Sequence, residues 1–177
     1  MFPVTVFSRL ERIDLAIFIR DTLVRGGYPL GYLKPIFSAA FIREQQLKYD
    51  AELRIGEDYL IVAEALALKA NCVVESEPGY RYTVRAGSIS HRLSPANIMK
   101  IEQAHQAFGR RFALDGEALK AQQQRSALLK RMRAVAQLVD GIKARSLRTI
   151  MQALATSPGA VCYLWQPVWK RLKGGLT

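Results

Sequence analysis

Two adjacent carboxylates, Glu57 and Asp58, follow a glycine in the run Arg54-Ile55-Gly56-Glu57-Asp58-Tyr59 and open the most apolar helical stretch of the chain. Glycine is an acceptable N-cap, so both acids fall in the first helical turn, where the helix dipole favours negative charge. A carboxylate at the lip of a buried helix can take a proton from a substrate hydroxyl delivered within hydrogen-bond reach. That would be general base chemistry. The same pair can equally do no more than complement the dipole, a stabilising device common in helices that catalyse nothing.

The helix that carries the pair reads from Glu57 to about Ala70, with Tyr59, Leu60, Ile61, Val62, Leu66 and Leu68 distributed around it. A helix apolar on nearly every side belongs in a core, and Glu57 and Glu64, two turns apart, mark its one polar strip. Upstream, residues 1–10 read as an extended lead-in. Ile13, Leu15, Ile17, Phe18 and Val24 follow at helical spacing until Gly26-Gly27. Tyr28 to Pro35 is a loop by its prolines and glycine, and Tyr32 and Lys34 in it either touch a ligand or act as packed connectors. A short helix is expected over 36–47, with an irregular approach from Tyr49 to Ile55.

Downstream, Asn71 is the expected left-handed terminator, and Cys72-Val73-Val74-Glu75 reads as a strand. Pro78-Gly79 is a turn, and Tyr80 to Arg85 alternates as a second strand. Ala86 to Arg92 is a donor-rich candidate binding loop. From Ser94 the pattern is helical: Ser94-Pro95 caps a stripe of Ile98, Ile101, Phe108 and Phe112. Asp115 caps the next, with a stripe of Leu128, Met132, Val135, Val139 and Ile142. Ser146 caps a shorter one through Leu147, Ile150, Met151 and Leu154. Ser157-Pro158 precedes Val161, Leu164, Trp165, Val168, Trp169 and Leu172, one helical face ending in Lys170, Arg171 and Lys173.

The chain of 177 residues suits one folded domain or a domain with an appendage, and half of its residues are apolar. No apolar run approaches the roughly 18 residues of a membrane-spanning helix, and the N-terminus lacks the basic start and apolar block of a secretory signal. A cytoplasmic chain is the default. Cys72 and Cys162 lie far apart, with only His91 and His105 to complete a site, which argues against a zinc centre or disulfide framework. The net charge of +11 is uneven. Residues 1–93 hold 12 Lys+Arg against 11 Asp+Glu, whereas residues 94–177 hold 14 against 4. Such a bias suits an anionic partner, lipid headgroups or nucleic acid, unless it is only a solvated face. Against nucleic acid, the basic half shows no helix-turn-helix, zinc-finger or aromatic RNA-binding signature.

The segment from Gly31 to Leu93 resembles the second half of the catalytic domain of family 2 glycosyltransferases, with the closest likeness to bacterial exopolysaccharide enzymes of the succinoglycan type. Four pieces carry the resemblance: Gly31-Tyr32-Leu33-Lys34-Pro35-Ile36-Phe37, Tyr49 through Tyr59, Tyr80-Arg81-Tyr82 with Arg85, and Ser88-Ile89-Ser90-His91-Arg92. It implies an α/β fold, a partial GT-A-like domain of few strands plus helices over 1–93, followed by a mainly α-helical, basic amphipathic region over 94–177. It further implies that Asp58 is the general base of an inverting transfer and that Glu57 orients the acceptor. Lys34 and Tyr32 would line the acceptor wall. Arg85, His91 and Arg92 would close over the donor diphosphate, although a strand-end charge for Arg85 and a local hydrogen bond for His91 are the simpler accounts.

The family's Asp-x-Asp motif, which holds Mg or Mn against the donor diphosphate, occurs nowhere in this sequence. The resemblance places it before Met1, so the nucleotide-binding half is expected to be absent, leaving a truncated chain or one part of a split enzyme. No metal ligands are assigned within the chain. The expected partners are a nucleotide sugar and a saccharide or lipid-linked acceptor. Residues 158–173 are a candidate contact with the inner face of the membrane, or else dock onto the catalytic domain by the same apolar face. An incomplete sheet predicts self-association or a partner chain. The competing reading is a non-catalytic remnant or subunit that binds a saccharide or a partner at the membrane.

Overall fold

The computed structural model describes residues 11–21, 23, 30, 34–75 and 94–160. In chain order these form β1 (Glu11–Ile13), α1 (Leu15–Asp21), α2 (Ala39–Glu44), α3 (Glu57–Ala67), β2 (Cys72–Val74), α4 (Pro95–Arg111), α5 (Gly116–Lys143) and α6 (Leu147–Thr156). The described part is mostly helical. Its small sheet pairs β1 with β2 antiparallel, Glu11 opposite Val74, Arg12 opposite Val73 and Ile13 opposite Cys72.

This pairing corrects the start of the first helix. Ile13 shares the apolar spacing of α1 but lies in β1, and the helix begins two residues later, where Asp14 Oδ1 accepts from the Ile17 amide at 2.7 Å. Ile13 and Val74 are both buried, so the short ladder seals one side of the core. The expected helix over 36–47 is also shorter. Residues 34–38 are non-helical, and Ser38 caps α2 by accepting from the Phe41 amide. The expected strand over 80–85, the loop over 86–92 and the final helix from Val161 lie outside the described residues.

The main core draws Ile13, Phe18, Ile19, Leu30, Leu53, Tyr59, Leu60, Ala63, Leu66 and Val74 together with Phe108 of α4 and Ala121 of α5. It therefore takes residues from both sides of Ser94. Leu30 reaches it because its amide donates to the Asp21 carboxylate at the end of α1. A second, smaller cluster of Ala134, Leu138, Ala153 and Ala160 joins the C-terminal half of α5 to α6.

The apolar stripe expected along α5 is displaced by about one residue. Ala121, Gln122, Leu129, Ala134, Leu138 and Gly141 are buried, whereas Met132 and Ile142 are exposed. Small side chains let neighbouring helices approach closely, so the larger ones at Leu128, Val135 and Val139 are pushed to the margins of the contact. Likewise α6 packs through Ala153, with Ile150 and Leu154 beside it, and leaves Leu147 and Met151 exposed.

Between α4 and α5 lies a buried polar layer. His105 is 2% exposed, its Nε2 lies 3.2 Å from the carbonyl oxygen of Gln122, and the Gln122 side-chain amide donates to the carbonyl oxygen of His105 at 2.7 Å. A carbonyl can only accept, so the proton of the neutral ring sits on Nε2. Gly109 makes room for this exchange, since a Cβ there would stand 2.7 Å from Gln122 Nε2.

Nδ1 of His105 is buried without a hydrogen-bond partner among the described residues. Burial pushes the ring pKa down to about 4, with the Arg125 charge adding to the shift and the Gln122 hydrogen bond opposing it. In the unfolded chain the imidazole titrates near the ordinary 6.5. Between these values the unfolded state binds the extra proton, so the stability due to neutral His105 is complete above pH 6.5 and is lost as pH falls toward 4. The expected loss approaches about 3 kcal/mol across that window, at no more than ~1.4 kcal/mol per pH unit. Urea unfolding at stepwise pH should show it, and a His105→Gln chain should lack that slope. An equal slope in both would mean that other groups set the acid limit.

Candidate functional site

The chain is led to the carboxylate pair by a local turn. Asp50 Oδ1 accepts from the Glu52 amide at 2.9 Å and its carbonyl accepts from the Leu53 amide at 3.1 Å, which folds Leu53 into the core. Gly56 then adopts φ +91°, a left-handed conformation that an L side chain rarely takes, and its carbonyl accepts the Leu60 amide as the first bond of α3. The side chain of Ile101 on α4 packs 3.4 Å from where a Cβ would be. Glycine at this position is thus required by the backbone and set in place by α4. Lys100 reinforces the contact by donating to the carbonyl of Glu52 at 3.3 Å.

Glu57 and Asp58 occupy the first turn of α3, as the spacing predicts. They point into different surroundings. Asp58 is about one-third exposed, and Lys34 Nζ donates to its Oδ2 at 3.0 Å. Glu57 has its Oε2 buried with no hydrogen-bond partner among the described residues. Lys34 arrives on the non-helical stretch before α2, next to Pro35 and the almost fully exposed Ile36. The structure thus brings together two residues 24 positions apart, Lys34 and Asp58. Tyr32, Arg85, His91 and Arg92 lie outside the described residues.

Behind the pair, α3 is anchored by Tyr59. Its ring stacks on Phe18 at 5.2 Å between centroids, and the Arg125 guanidinium carbon lies 3.7 Å from the ring centroid. A desolvated contact of this kind contributes about 2 kcal/mol. Burial pushes the Tyr59 hydroxyl up to about 12, against the lowering by Arg125, so the phenol is no proton donor near neutrality. Arg111 of α4 also reaches Glu64 on α3 at 3.1 Å. The helix bearing Asp58 is therefore fixed to α1, α4 and α5, and its N-terminal turn is held against a rigid support.

This support contains buried Glu102, His105 and Gln122 with half-buried Arg125 and Arg133, and none of them is placed in a buried polar layer by sequence reasoning. A signal for two of them exists, because Ile98, Glu102, His105 and Phe108 follow one another at spacings of four, three and three. Two polar residues lie on the buried face of an otherwise apolar stripe. Among the described residues no group of three or more His, Cys, Asp or Glu side chains could hold a metal ion. What the arrangement offers is a solvent-accessible carboxylate, paired with a cation through one oxygen, at the positive end of a helix dipole.

The chain is similar to the succinoglycan biosynthesis protein ExoO of Rhizobium meliloti (strain 1021), being 40% identical over 174 residues, which is 98% of this chain and 50% of that protein. It is also similar to the succinoglycan biosynthesis protein ExoU of the same organism, 33% identical over 126 residues, or 64% of this chain and 37% of that protein. The chain spans half the length of the first relative and less of the second. No family model matches it, and no solved structure matches it.

Proposed function

We propose that this chain supplies the acceptor side and the general base of an inverting, family 2-like glycosyltransferase that builds a bacterial exopolysaccharide. The observation that carries the reading is the Asp58 carboxylate at the head of α3 with Lys34 Nζ 3.0 Å from Oδ2, in a chain similar to two proteins named for succinoglycan biosynthesis. With Oδ2 engaged by Lys34, Oδ1 is left to accept the proton of an acceptor hydroxyl. The hydroxyl oxygen, as it gives up that proton, forms the new bond to the anomeric carbon while the bond to the nucleotide diphosphate breaks, and the electron pair leaves with the diphosphate. A single displacement of this kind inverts the anomeric centre. Arg85, His91 and Arg92 are the proposed diphosphate contacts, and Tyr32 the further acceptor contact. The partial GT-A-like character of 1–93 and the attachment of a helical unit over 94–177 are part of the same proposal.

A chimaera tests it. In Rhizobium meliloti ExoO, the stretch matched by this chain is replaced with residues 1–177, and succinoglycan production is measured in cells lacking native ExoO. Restored production that is lost in the Asp58→Asn chimaera supports the reading. Restoration that survives Asp58→Asn favours the competing one, in which the chain binds a saccharide or a partner without catalysis.

Lys34 gives a separate expectation. Both side chains of the pair are more than one-third exposed, so water screens their attraction and the pair contributes no more than about 1 kcal/mol to stability. Coupling measured by a Lys34→Met and Asp58→Asn double-mutant cycle in urea should stay below that value. In the chimaera, Lys34→Met is expected to reduce polysaccharide output about tenfold through weaker placement of the base. A coupling well above this value, with output unchanged, would make Lys34 a structural residue.

A further inference from the structure

We propose that the turn between α5 and α6, residues 142–151, is a docking surface for an anionic lipid bilayer. The packing of α6 leaves part of its apolar stripe unused. Leu147 is 78% exposed and Met151 64% exposed, one turn apart on the same side of α6, and Ile142 at the end of α5 is 52% exposed. The contact with α5 uses Ala153, Ile150 and Leu154 instead, so the exposed residues are not needed to hold the helix.

The surrounding charge selects the partner. Lys143, Arg145 and Arg148 are exposed and form no ion pair among the described residues. No Asp or Glu occurs after Asp140, while Lys143, Arg145, Arg148, Lys170, Arg171 and Lys173 all do. The turn is fixed in shape, with Arg145 at φ 51°, the Ser146 amide donating to the Gly141 carbonyl at 2.9 Å, and Ser146 Oγ capping α6 through the Thr149 amide at 3.3 Å.

Asp140, one turn before Lys143, is the nearest acid in sequence, and exposed apolar side chains interspersed with three cations that form no ion pair among the described residues suit headgroup phosphates above an acyl boundary. A nucleic acid would engage the cations but leave Leu147, Met151 and Ile142 in water. The proposal does not depend on the glycosyltransferase reading.

Sedimentation of the 177-residue chain with vesicles tests it, comparing phosphatidylcholine alone with phosphatidylcholine–phosphatidylglycerol mixtures. The expected result is binding to the mixed vesicles that falls at least about tenfold in Leu147→Asp/Met151→Asp, through lost apolar burial. Lys143→Ala/Arg145→Ala/Arg148→Ala should lower it on the order of a hundredfold, at about 1 kcal/mol per basic residue. Unchanged melting curves would show that the variants fold, as the exposure of these side chains predicts. Absence of binding to the mixed vesicles, or binding that neither variant weakens, overturns the proposal. So does a dimer of the unmodified chain in light scattering that Leu147→Asp/Met151→Asp dissociates, because a second copy would then be the occupant.

Discussion

Replacing Asp58, the proposed general base, by Asn is expected to lower sugar transfer in the chimaera by about 10²–10⁴-fold, the usual contribution of a positioned general base, and to leave the fold intact. The two side chains have the same shape, and the Asn carbonyl oxygen can still accept from Lys34 Nζ. What is lost is the ability to take up the acceptor proton as its oxygen attacks. Saccharide binding should therefore persist to within a few-fold, and the loss should appear in the turnover rate. Saturation-transfer NMR with oligosaccharides, beside hexose transfer from UDP-hexoses with and without Mn in the restored chimaera, separates the two quantities. A variant that binds saccharide and transfers at the unmodified rate would remove Asp58 from the chemistry. One that no longer binds saccharide would make the carboxylate an anchor for the acceptor rather than its base.

The position of this carboxylate was legible in the sequence because three local signals coincide there: a glycine, two acids and the onset of an apolar helix. The structure adds why the glycine is needed, namely the left-handed Gly56 pressed against Ile101. Helix ends set by hydrogen-bond geometry alone were harder to read. The end of α3 was expected at Asn71, since asparagine tolerates the left-handed region. It falls instead at Lys69, φ 65°, where the Ala70 amide reaches back to the Ala65 carbonyl at 3.0 Å. The same closing pattern puts Gln46 and Arg145 at positive φ after α2 and α5. In each case satisfying the last carbonyls of the helix outweighs the roughly 1–3 kcal/mol strain of a non-glycine residue there.

The face of a helix was legible only where large apolar side chains make the contact, as for Ile98 and Phe108 in α4. Where alanine and glycine make it, as along α5 and α6, the larger residues mark the edge of the interface and mislead a reading based on size. Strand β1 was missed for a related reason. Three residues cannot display a period, and Ile13 fits the helical pattern that follows it. The contact between Lys34 and Asp58 is a product of tertiary folding, and only the resemblance to a known family had placed both in one site.

Removing the guanidinium of Arg133 should be among the most destabilising single changes in the described core. Glu102 is 6% exposed on α4, and Arg133 Nε on α5 stands 2.9 Å from its Oε2. The contact is an ion pair rather than an aligned hydrogen bond, because the oxygen lies off the direction of the Nε–H. Within the protein the carboxylate has given up most of its water, and the guanidinium is the charge that offsets this. An Arg133→Met chain would leave that charge buried and uncompensated, which costs about 3–5 kcal/mol. Against a total stability of about 5–15 kcal/mol for a domain, the melting temperature should fall on the order of 10 °C. Glu102→Met/Arg133→Met should regain most of the loss, since two apolar side chains of similar volume remove both desolvation penalties at once. Chemical unfolding of the single and double variants distinguishes this from simple loss of packing, which would leave the double variant at least as unstable as Arg133→Met. Because this pair joins α4 to α5, and α4 supports Gly56 through Ile101, its failure should also loosen the turn that presents Asp58. Hydrogen exchange at the Leu60 amide, the first bond of α3, is then expected to accelerate in Arg133→Met and to recover in the double variant.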